Sequence, residues 1–297
     1  MSHRIGLVVL DYDQAPITRR CLRSVAAGTR RPDEIVLVEN GEHGVDLESD
    51  EELTGLQVNV LHPGRNIGVA AGRNLGIDHL FHKSDVDLVV MLDNDTTVPP
   101  EFFELAAARS YEPLEVVAPL ILDMDSGEVI YAGGDYDRHH VPRVIAEWPQ
   151  GETEPREVGW APTAGLIVNR ETWLRVGGFD PWYIFLWEDV EWCYRVVGLS
   201  GVVRVVPELR VLHEAHQSTG GAFGPERVRQ WSRNGTVFLF QTAHVSWRSR
   251  LSWFATELRR VVRELRAGWT PTAMGRLRGL AQGLREVGRR RLRRTGG

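Results

Sequence analysis

The sequence predicts an α/β protein: a mostly parallel central sheet flanked by helices, followed by a C-terminal helical appendage. Three observations predict it. Short apolar runs alternate with helical stretches over the first 120 residues, the pattern of a parallel sheet buried on both faces. At 297 residues the chain has room for one large domain, or one domain plus an appendage. Its charge is also segregated. The 50 residues after Trp247 hold 14 Arg against three Glu, so a basic end of +11 follows an acidic body of -16.

Residues 5–10 form the first apolar run, followed by a polar loop and a helical stretch over 17–27. Residues 34–38 and 56–61 read as the next strands, 69–81 as a helix and 87–92 as a buried strand. Pro99 and Pro100 sit where prolines open a helix, which is expected to reach Ser110. A strand follows at 116–122. From Asp123 to Gly159 the texture turns to Gly, Pro and charge, with weak β patterning at 128–136, and reads as a loop-rich insertion holding a hairpin. Regular structure resumes with a strand at 162–168, helices at 170–176 and 189–199, and a strand at 202–206. After Pro225 the chain reads as mainly helical.

A composition of 42% hydrophobic and 25% charged residues excludes wholesale disorder, collagen and a coiled-coil rod. Runs such as Leu88–Leu92 fall far short of the roughly 20 apolar residues that cross a bilayer. The opening 13 residues turn acidic too soon for a secretory leader. Two cysteines, Cys21 and Cys193, are too few for a disulfide framework. The expected location is the cytoplasm.

Four clusters carry chemistry. Leu88–Leu92 runs into Asp93-Asn94-Asp95, two carboxylates at a strand end, where α/β sheets bind ligands and where hard oxygens suit Mg²⁺ or Mn²⁺. The same acids serve equally well as turn and helix caps. Glu188-Asp189 lies between Trp187 and Trp192 at the start of a helix. It reads either as dipole stabilisation or as a general base in an apolar cleft. His213 and His216 precede Ser218-Thr-Gly-Gly; they are ordinary structural histidines, or they close a metal or diphosphate site. In Asn66–Gly76 the small residues permit close helix packing, and Arg73 and Asn74 stand near the ligand crevice, where a guanidinium grips phosphate.

Taken in order, Val38-Glu39-Asn40-Gly41, Asn66-x-Gly68…Arg73-Asn74-x-Gly76, Asp93-Asn94-Asp95, Gly177-Gly-Phe-Asp180…Glu188-Asp189 and His213…Ser218 resemble a family 2 glycosyltransferase of GT-A fold. They are most similar to the bacterial rhamnosyltransferases of cell-surface polysaccharide synthesis. The resemblance spans Ile5 to Gly221. It implies a GT-A catalytic domain over 1–224, with a nucleotide-binding half at 1–122 and an acceptor half at 160–224, and an Arg-rich helical extension over 225–297. It further implies an inverting enzyme that moves a sugar from a dTDP- or UDP-sugar, dTDP-rhamnose included, to a hydroxyl of a glycan, lipid-linked or small-molecule acceptor, with Mg²⁺ or Mn²⁺.

The resemblance assigns Asp189 as base with Glu188 in support, and Asp93, Asp95 and His213 to the metal. Asp11, Glu39, Arg73, Asn74 and Asp93 go to the nucleotide, and Trp187 and Trp182 to the acceptor. Two departures stand out. Glu39 replaces a shorter Asp, and Asp11-Tyr12-Asp13 replaces the usual Thr-Tyr-Asn.

In the basic end, Trp247, Leu251, Phe254, Leu258, Val261 or Val262, and Leu265 recur at three- and four-residue steps. The expectation is a helix docked on the protein through that stripe; the alternative is a basic amphipathic helix lying on an anionic membrane. The terminal Arg289–Arg294 run is expected to be disordered. Two other functions compete. A sugar nucleotidyltransferase would show a Gly-rich phosphate loop after the first strand, and Asp11–Pro16 lacks one. A nucleic-acid binder using the Arg tail would carry an acidic body that repels the polyanion, so nucleic acid is not an expected partner.

Overall fold

A computed structural model describes residues 2–214, 224–242 and 245–295, arranged in two compact units. The first takes in 2–135, 144–184 and 188–214; the second takes in 136–143, 185–187 and the described residues from 224 onward.

Apolar runs of the first unit become strands Ile5–Asp11 (β1), Glu34–Glu39 (β2), Asn59–Leu61 (β3) and Leu88–Asp93 (β4). Next come Thr96–Thr97 (β5), Glu115–Asp123 (β6), Val129–Tyr131 (β7), the hairpin Gly134–Tyr136 (β8) with Pro142–Val144 (β9), Arg156–Val158 (β10), Ile167–Asn169 (β11) and Val202–His213 (β12). The sheet runs β10-β12-β6-β11-β4-β1-β2-β3. β3, β2, β1 and β4 are parallel, and so are β6 and β12, while β11 is inserted antiparallel between β4 and β6. Helices Ala15–Ala26 (α1), Val69–Lys83 (α2), Phe102–Ala108 (α3), Arg170–Val176 (α4) and Glu188–Gly198 (α5) complete the unit.

Both faces of the strands are covered, which is why they read as continuous apolar runs. Leu7, Val9, Leu37, Val90 and Leu92 pack with Leu22, Val25, Phe102 and Phe103 of α1 and α3. On the other face α2 lies close to β1, because a Cβ on Gly72 would stand 2.6 Å from Leu10 and one on Gly76 2.6 Å from Val8. The last strand is longer than its sequence suggested. Past a register shift between Val206 and Arg210 it continues to His213, with Leu209 and Val211 buried and Glu208 and Arg210 exposed. Both cysteines are free and buried, and burial pushes each thiol up to about 12.

In the second unit, Pro225–Gln241 (α6), Trp247–Arg266 (α7) and Thr270–Thr295 (α8) pack together. Gly275, Gly279 and Gly283, four residues apart on α8, let it approach the α6 backbone. A Cβ at Gly279 would lie 2.3 Å from the carbonyl oxygen of Arg229. Contacts with α6 continue to Arg290, which donates to Gln241 at 3.1 Å, and the Arg289–Arg294 segment, expected to be disordered, continues as helix to Thr295.

The docking face of α7 also differs from expectation. Trp247, Leu251, Leu258, Val262 and Leu265 are exposed, while Ser249, Trp253, Glu257, Val261 and Glu264 are buried. The reason is a polar core. Arg276 of α8 reaches Glu257 at 2.6 Å and both oxygens of Glu264 at 3.1 Å, and Ser232 donates to Glu257 at 2.6 Å. Two glutamates can be buried because one guanidinium satisfies both. Trp187, at 2% exposure, is packed among Trp231, Phe238 and Trp253. Asn234, fully buried, donates to the carbonyls of Phe185 and Leu186 at 2.9 and 2.8 Å.

Since backbone cannot yield as a side chain can, Gly279→Leu is expected to destabilise the chain by about 2–3 kcal/mol, read as a lower urea midpoint. Gly288→Ala, where a Cβ meets nothing on an exposed helix face, should instead raise that midpoint, by about 0.5–1 kcal/mol of stability.

Candidate active site

The carboxylates begin at the strand ends. In the parallel register Asp11 stands beside Glu39 and Leu10 beside Asp93, so three acids line the C-terminal edges of β2, β1 and β4. Two residues beyond Asp93, the short strand β5 pairs with the end of β12 and sets His213 opposite Thr96. His213 Nε2 comes to 3.1 Å from Asp95 Oδ1. One ligand atom each from Asp93, Asp95 and His213 falls within 4.8 Å of the others. Two carboxylates and an imidazole converging at a strand end form a donor set that fits a divalent cation such as Mn²⁺ or Mg²⁺.

A second group is built around Arg73 on α2. The residue is 4% exposed; Nη1 donates to Glu188 at 3.0 Å and Nη2 to Asp93. The charges of Asp93 and Glu188 keep the guanidinium protonated against burial. Glu188 opens α5 and is itself buried, so burial pushes its carboxyl upward while Arg73 pulls it back. Asp189, the next residue, is half-buried. Burial first, and the neighbouring Glu188 charge second, raise its carboxyl to about 7. Its Oδ1 accepts from the Val190 amide at 2.7 Å. A carboxyl that titrates near neutrality and keeps some access to solvent is suited to general-base work.

The Gly177–Asp180 turn before this pair is fixed from several sides. Asn74 donates to the Phe179 carbonyl at 2.8 Å and accepts from its amide at 2.9 Å. Arg195 donates to the carbonyls of Val176 and Gly178, and Trp192 to that of Gly177. Trp173, Phe179 and Trp192 fill the space beneath, with ring centroids 5.3–5.9 Å apart.

Several sequence expectations change. Asn74 was expected at the nucleotide, but its amide is committed to the Phe179 backbone. Arg73, expected to grip phosphate, is instead the internal counter-ion of Asp93 and Glu188. Asp11 is fully buried, its Oδ1 accepting from Thr18, from Asn94 at 3.4 Å and from the Gln14 amide at 3.3 Å. Through this oxygen it braces the Asp93–Asp95 turn. Glu39 accepts from the Val45 amide at 2.6 Å and lies 2.7 Å from His62 Nδ1, so it shapes the loop after β2. Trp187, expected as a sugar platform, belongs to the second unit's core. Trp182 is half-buried, edge-on to Tyr183 at 5.0 Å. His216 and Ser218 lie outside the described residues. Sequence reading missed His62, which no motif marks. It also missed Asn94 and Thr18 as braces, although Asn94 sits inside the Asp93–Asp95 motif.

A sheet of this order with acids at its strand ends, a cation-type triad and a separate acid pair opening a helix defines a sugar-transferring enzyme of GT-A type. The chain belongs to glycosyltransferase family 2: residues 88–279 match Glycosyl transferase family group 2, and residues 7–151 match Glycosyl transferase family 2. It is 26% identical to an N-acetylglucosaminyl-diphospho-decaprenol L-rhamnosyltransferase of Mycobacterium tuberculosis, over 85% of this chain and 89% of that protein. It is 24% identical to the dTDP-rhamnosyl transferase RfbF of Shigella flexneri, over 53% of this chain and 52% of that one.

Among solved structures, the mannosyltransferase PcManGT of Pyrobaculum calidifontis with GDP-Man and Mn²⁺ matches with a TM-score of 0.55 at 12% identity, over 96% of this chain and 88% of that one. GalNAc-T7 with UDP, GalNAc and Mn²⁺ matches at 0.60 and 21%, over 80% of this chain; the match spans about half, 48%, of that protein. These two show the fold.

Removing Arg73 leaves a buried glutamate and an adjoining aspartate without their cation. Arg73→Ala is expected to cost about 3–5 kcal/mol of folding stability, measured by denaturant unfolding. Arg73→Lys, which keeps the charge but not the fork, should cost less. Equal stability of Arg73→Ala and the parent would remove Arg73 from this role.

Proposed function

We propose that this enzyme moves a sugar from a nucleotide-diphosphate donor to a hydroxyl of a lipid-linked or glycan acceptor, with inversion at the anomeric carbon. The two rhamnosyltransferase relatives favour dTDP-rhamnose among dTDP- and UDP-sugars. One observation carries the reading: a half-buried acid raised to about 7, Asp189, adjoins the Glu188–Arg73–Asp93 ion chain that leads to the Asp95–His213 cluster.

Asp189 takes the proton from the acceptor hydroxyl as its oxygen attacks the sugar from the face opposite the leaving diphosphate. An alcohol is a poor nucleophile near neutral pH, and a positioned base contributes about 10²–10⁴-fold. Glu188 keeps Asp189 basic through its charge and is held in place by Arg73. Asp93, Asp95 and His213 would hold a divalent cation, Mn²⁺ or Mg²⁺, which when bound offsets the negative charge of the diphosphate. Glu39 and His62 shape the loop beside the nucleotide base, and Trp182 borders the acceptor. The catalytic and acceptor elements lie within 1–224, with 225–297 as the extension.

We further infer peripheral attachment to an anionic membrane from the cytoplasmic side. No helix among the described residues is long and apolar enough to cross a membrane. The exposed face of α7 instead combines Trp247, Leu251, Leu258, Val262 and Leu265 with exposed Arg248, Arg259, Arg263 and Arg266, and both acids of that helix are buried.

Asp189→Asn is expected to lower kcat by about 10²–10⁴-fold while nucleotide-sugar binding, read by thermal shift with Mn²⁺, persists. Wild-type activity should fall tenfold per pH unit below about 7, because the base is then protonated, and level off above. Full activity in the Asn variant would remove Asp189 from the mechanism, and activity that survives thorough chelation would remove the cation. In flotation with phosphatidylglycerol vesicles the wild type should rise with the lipid, and Leu251→Gln/Leu258→Gln/Val262→Gln should stay behind. Equal recovery of the two proteins ends the attachment reading.

A further inference from the structure

Within the second unit, the hairpin tip 136–143 and α7 enclose a cavity of about 490 Å³, within the roughly 300–1,000 Å³ typical of small-molecule sites. Arg138, Arg143, Arg259 and Arg260 line it. Two of these are neutralised locally: Arg143 pairs with Asp137 at 3.0 Å and Arg260 with Glu257 at 2.6 Å. The other two have hydrogen-bond partners but, among the described residues, no acidic one. Arg138 donates to His139 at 3.2 Å, and Arg259 donates to the Ala255 carbonyl at 3.2 Å and the Thr256 hydroxyl at 3.3 Å. Ser252 and Thr256 bring hydroxyls to the same lining. Guanidinium forks beside hydroxyls match the oxygens of a phosphate, which arginine binds bidentately.

On the same helix runs a groove of about 400 Å³, lined by Ala255, Leu258 and Val262 together with Arg259, Arg263 and Arg266. Its three apolar side chains extend over about 10 Å of helix. Arg259 lines both spaces. A phosphate site joined through one arginine to an exposed apolar track fits an amphiphile with a phosphate head and a hydrocarbon chain. The head must also lack a cation, because a choline or ammonium group beside the phosphate would be repelled by the same arginines.

We propose that this cavity is the headgroup pocket of one anionic phospholipid, whose phosphodiester is held by Arg138 and Arg259 while the start of an acyl chain lies along Ala255, Leu258 and Val262. This rests on the membrane-attachment reading of α7 and adds to it a one-to-one site with a headgroup preference. A basic surface is attracted to any anionic bilayer through its summed charge. A pocket instead reads the phosphate and chain of a single molecule, and so it works on a lipid monomer in solution. Every residue it uses belongs to the second unit.

The test is calorimetric titration of the full chain at about 0.15 M salt, where distant charges are screened. The ligands are dihexanoylphosphatidylglycerol below its micelle concentration, dihexanoylphosphatidylcholine and glycerol 3-phosphate. The phosphatidylglycerol should bind one-to-one, about tenfold or more tighter than either of the others. Arg138→Ser/Arg259→Ser should weaken it about tenfold or more. Arg248→Ser/Arg285→Ser removes the same charge from exposed positions outside both spaces, and should leave affinity within about twofold. Leu258→Asn/Val262→Asn should lower phosphatidylglycerol to the glycerol 3-phosphate level and leave glycerol 3-phosphate unchanged. All the substituted side chains are exposed, so these variants are expected to fold, and matching circular dichroism checks that they do.

Three outcomes overturn the proposal: equal loss in the two arginine variants, phosphatidylcholine binding as tightly as phosphatidylglycerol, or glycerol 3-phosphate binding as tightly as the lipid. Flotation of the same preparations with phosphatidylglycerol vesicles separates this from failure of the attachment reading. Flotation without monomer binding keeps the attachment and overturns the pocket. Monomer binding without flotation keeps the pocket and discards the attachment.

Discussion

The arrangement of acids in the first unit depends on one buried cation. Asp93 ends a strand and Glu188 begins a helix 95 residues later, and both carboxylates meet the guanidinium of Arg73. Without it, burying Glu188 would be prohibitive, because an unpaired carboxylate in the interior neutralises or the structure opens. With it, Glu188 remains available as a neighbouring negative charge, and that charge helps to raise Asp189 toward neutrality. Asp189 therefore owes its raised proton affinity first to burial and second to a glutamate that Arg73 holds beside it. Arg73 reaches this place only because Gly72 and Gly76, on either side of it, allow α2 to lie against β1.

The second unit applies the same rule to a different end. Arg276 satisfies Glu257 and Glu264 inside a three-helix packing, and this decides which face of α7 is buried. A helix with an apolar stripe turns most of that stripe outward and buries its glutamates with Trp253 and Val261 instead. Amphipathicity records which residues are alike, whereas docking is decided by which face finds partners on the neighbouring helices. The arginines of this basic end thus have more than one destination: Arg276 closes the core, while Arg248, Arg259, Arg263 and Arg266 lie exposed along α7.

Much of the fold was legible because parallel strands buried on both faces leave continuous apolar runs; Leu88–Leu92 could hardly be anything else. The acids at strand ends and the Glu188-Asp189 pair were legible for the same reason, since they interrupt such runs. What sequence could not show was direction. Asn74, Arg73 and Asp11 read as neighbours of a ligand, whereas their side chains bond to backbone or to other side chains, and such hydrogen bonds span up to 115 residues of chain. Pro207 hid the continuation of β12, although the alternation of Glu208, Leu209, Arg210 and Val211 carried the signal. Trp187 illustrates the opposite error: its position beside the acid pair suggested a ligand surface, while its size suited a core.

That same tryptophan explains a feature of the segment leading into the acid pair. Leu186 and Trp187 both adopt left-handed backbone, with φ of 67° and 74°, an unfavourable conformation for bulky side chains that persists only where the surroundings over-determine it. Those surroundings are visible. Asn234 donates to the carbonyls of Phe185 and Leu186, and three aromatic rings enclose Trp187. The bend ends where α5 begins, with Glu188, and helix N-termini favour acids through their exposed amides. Strain before the helix and acids favoured at its first turn are thus consecutive along the chain.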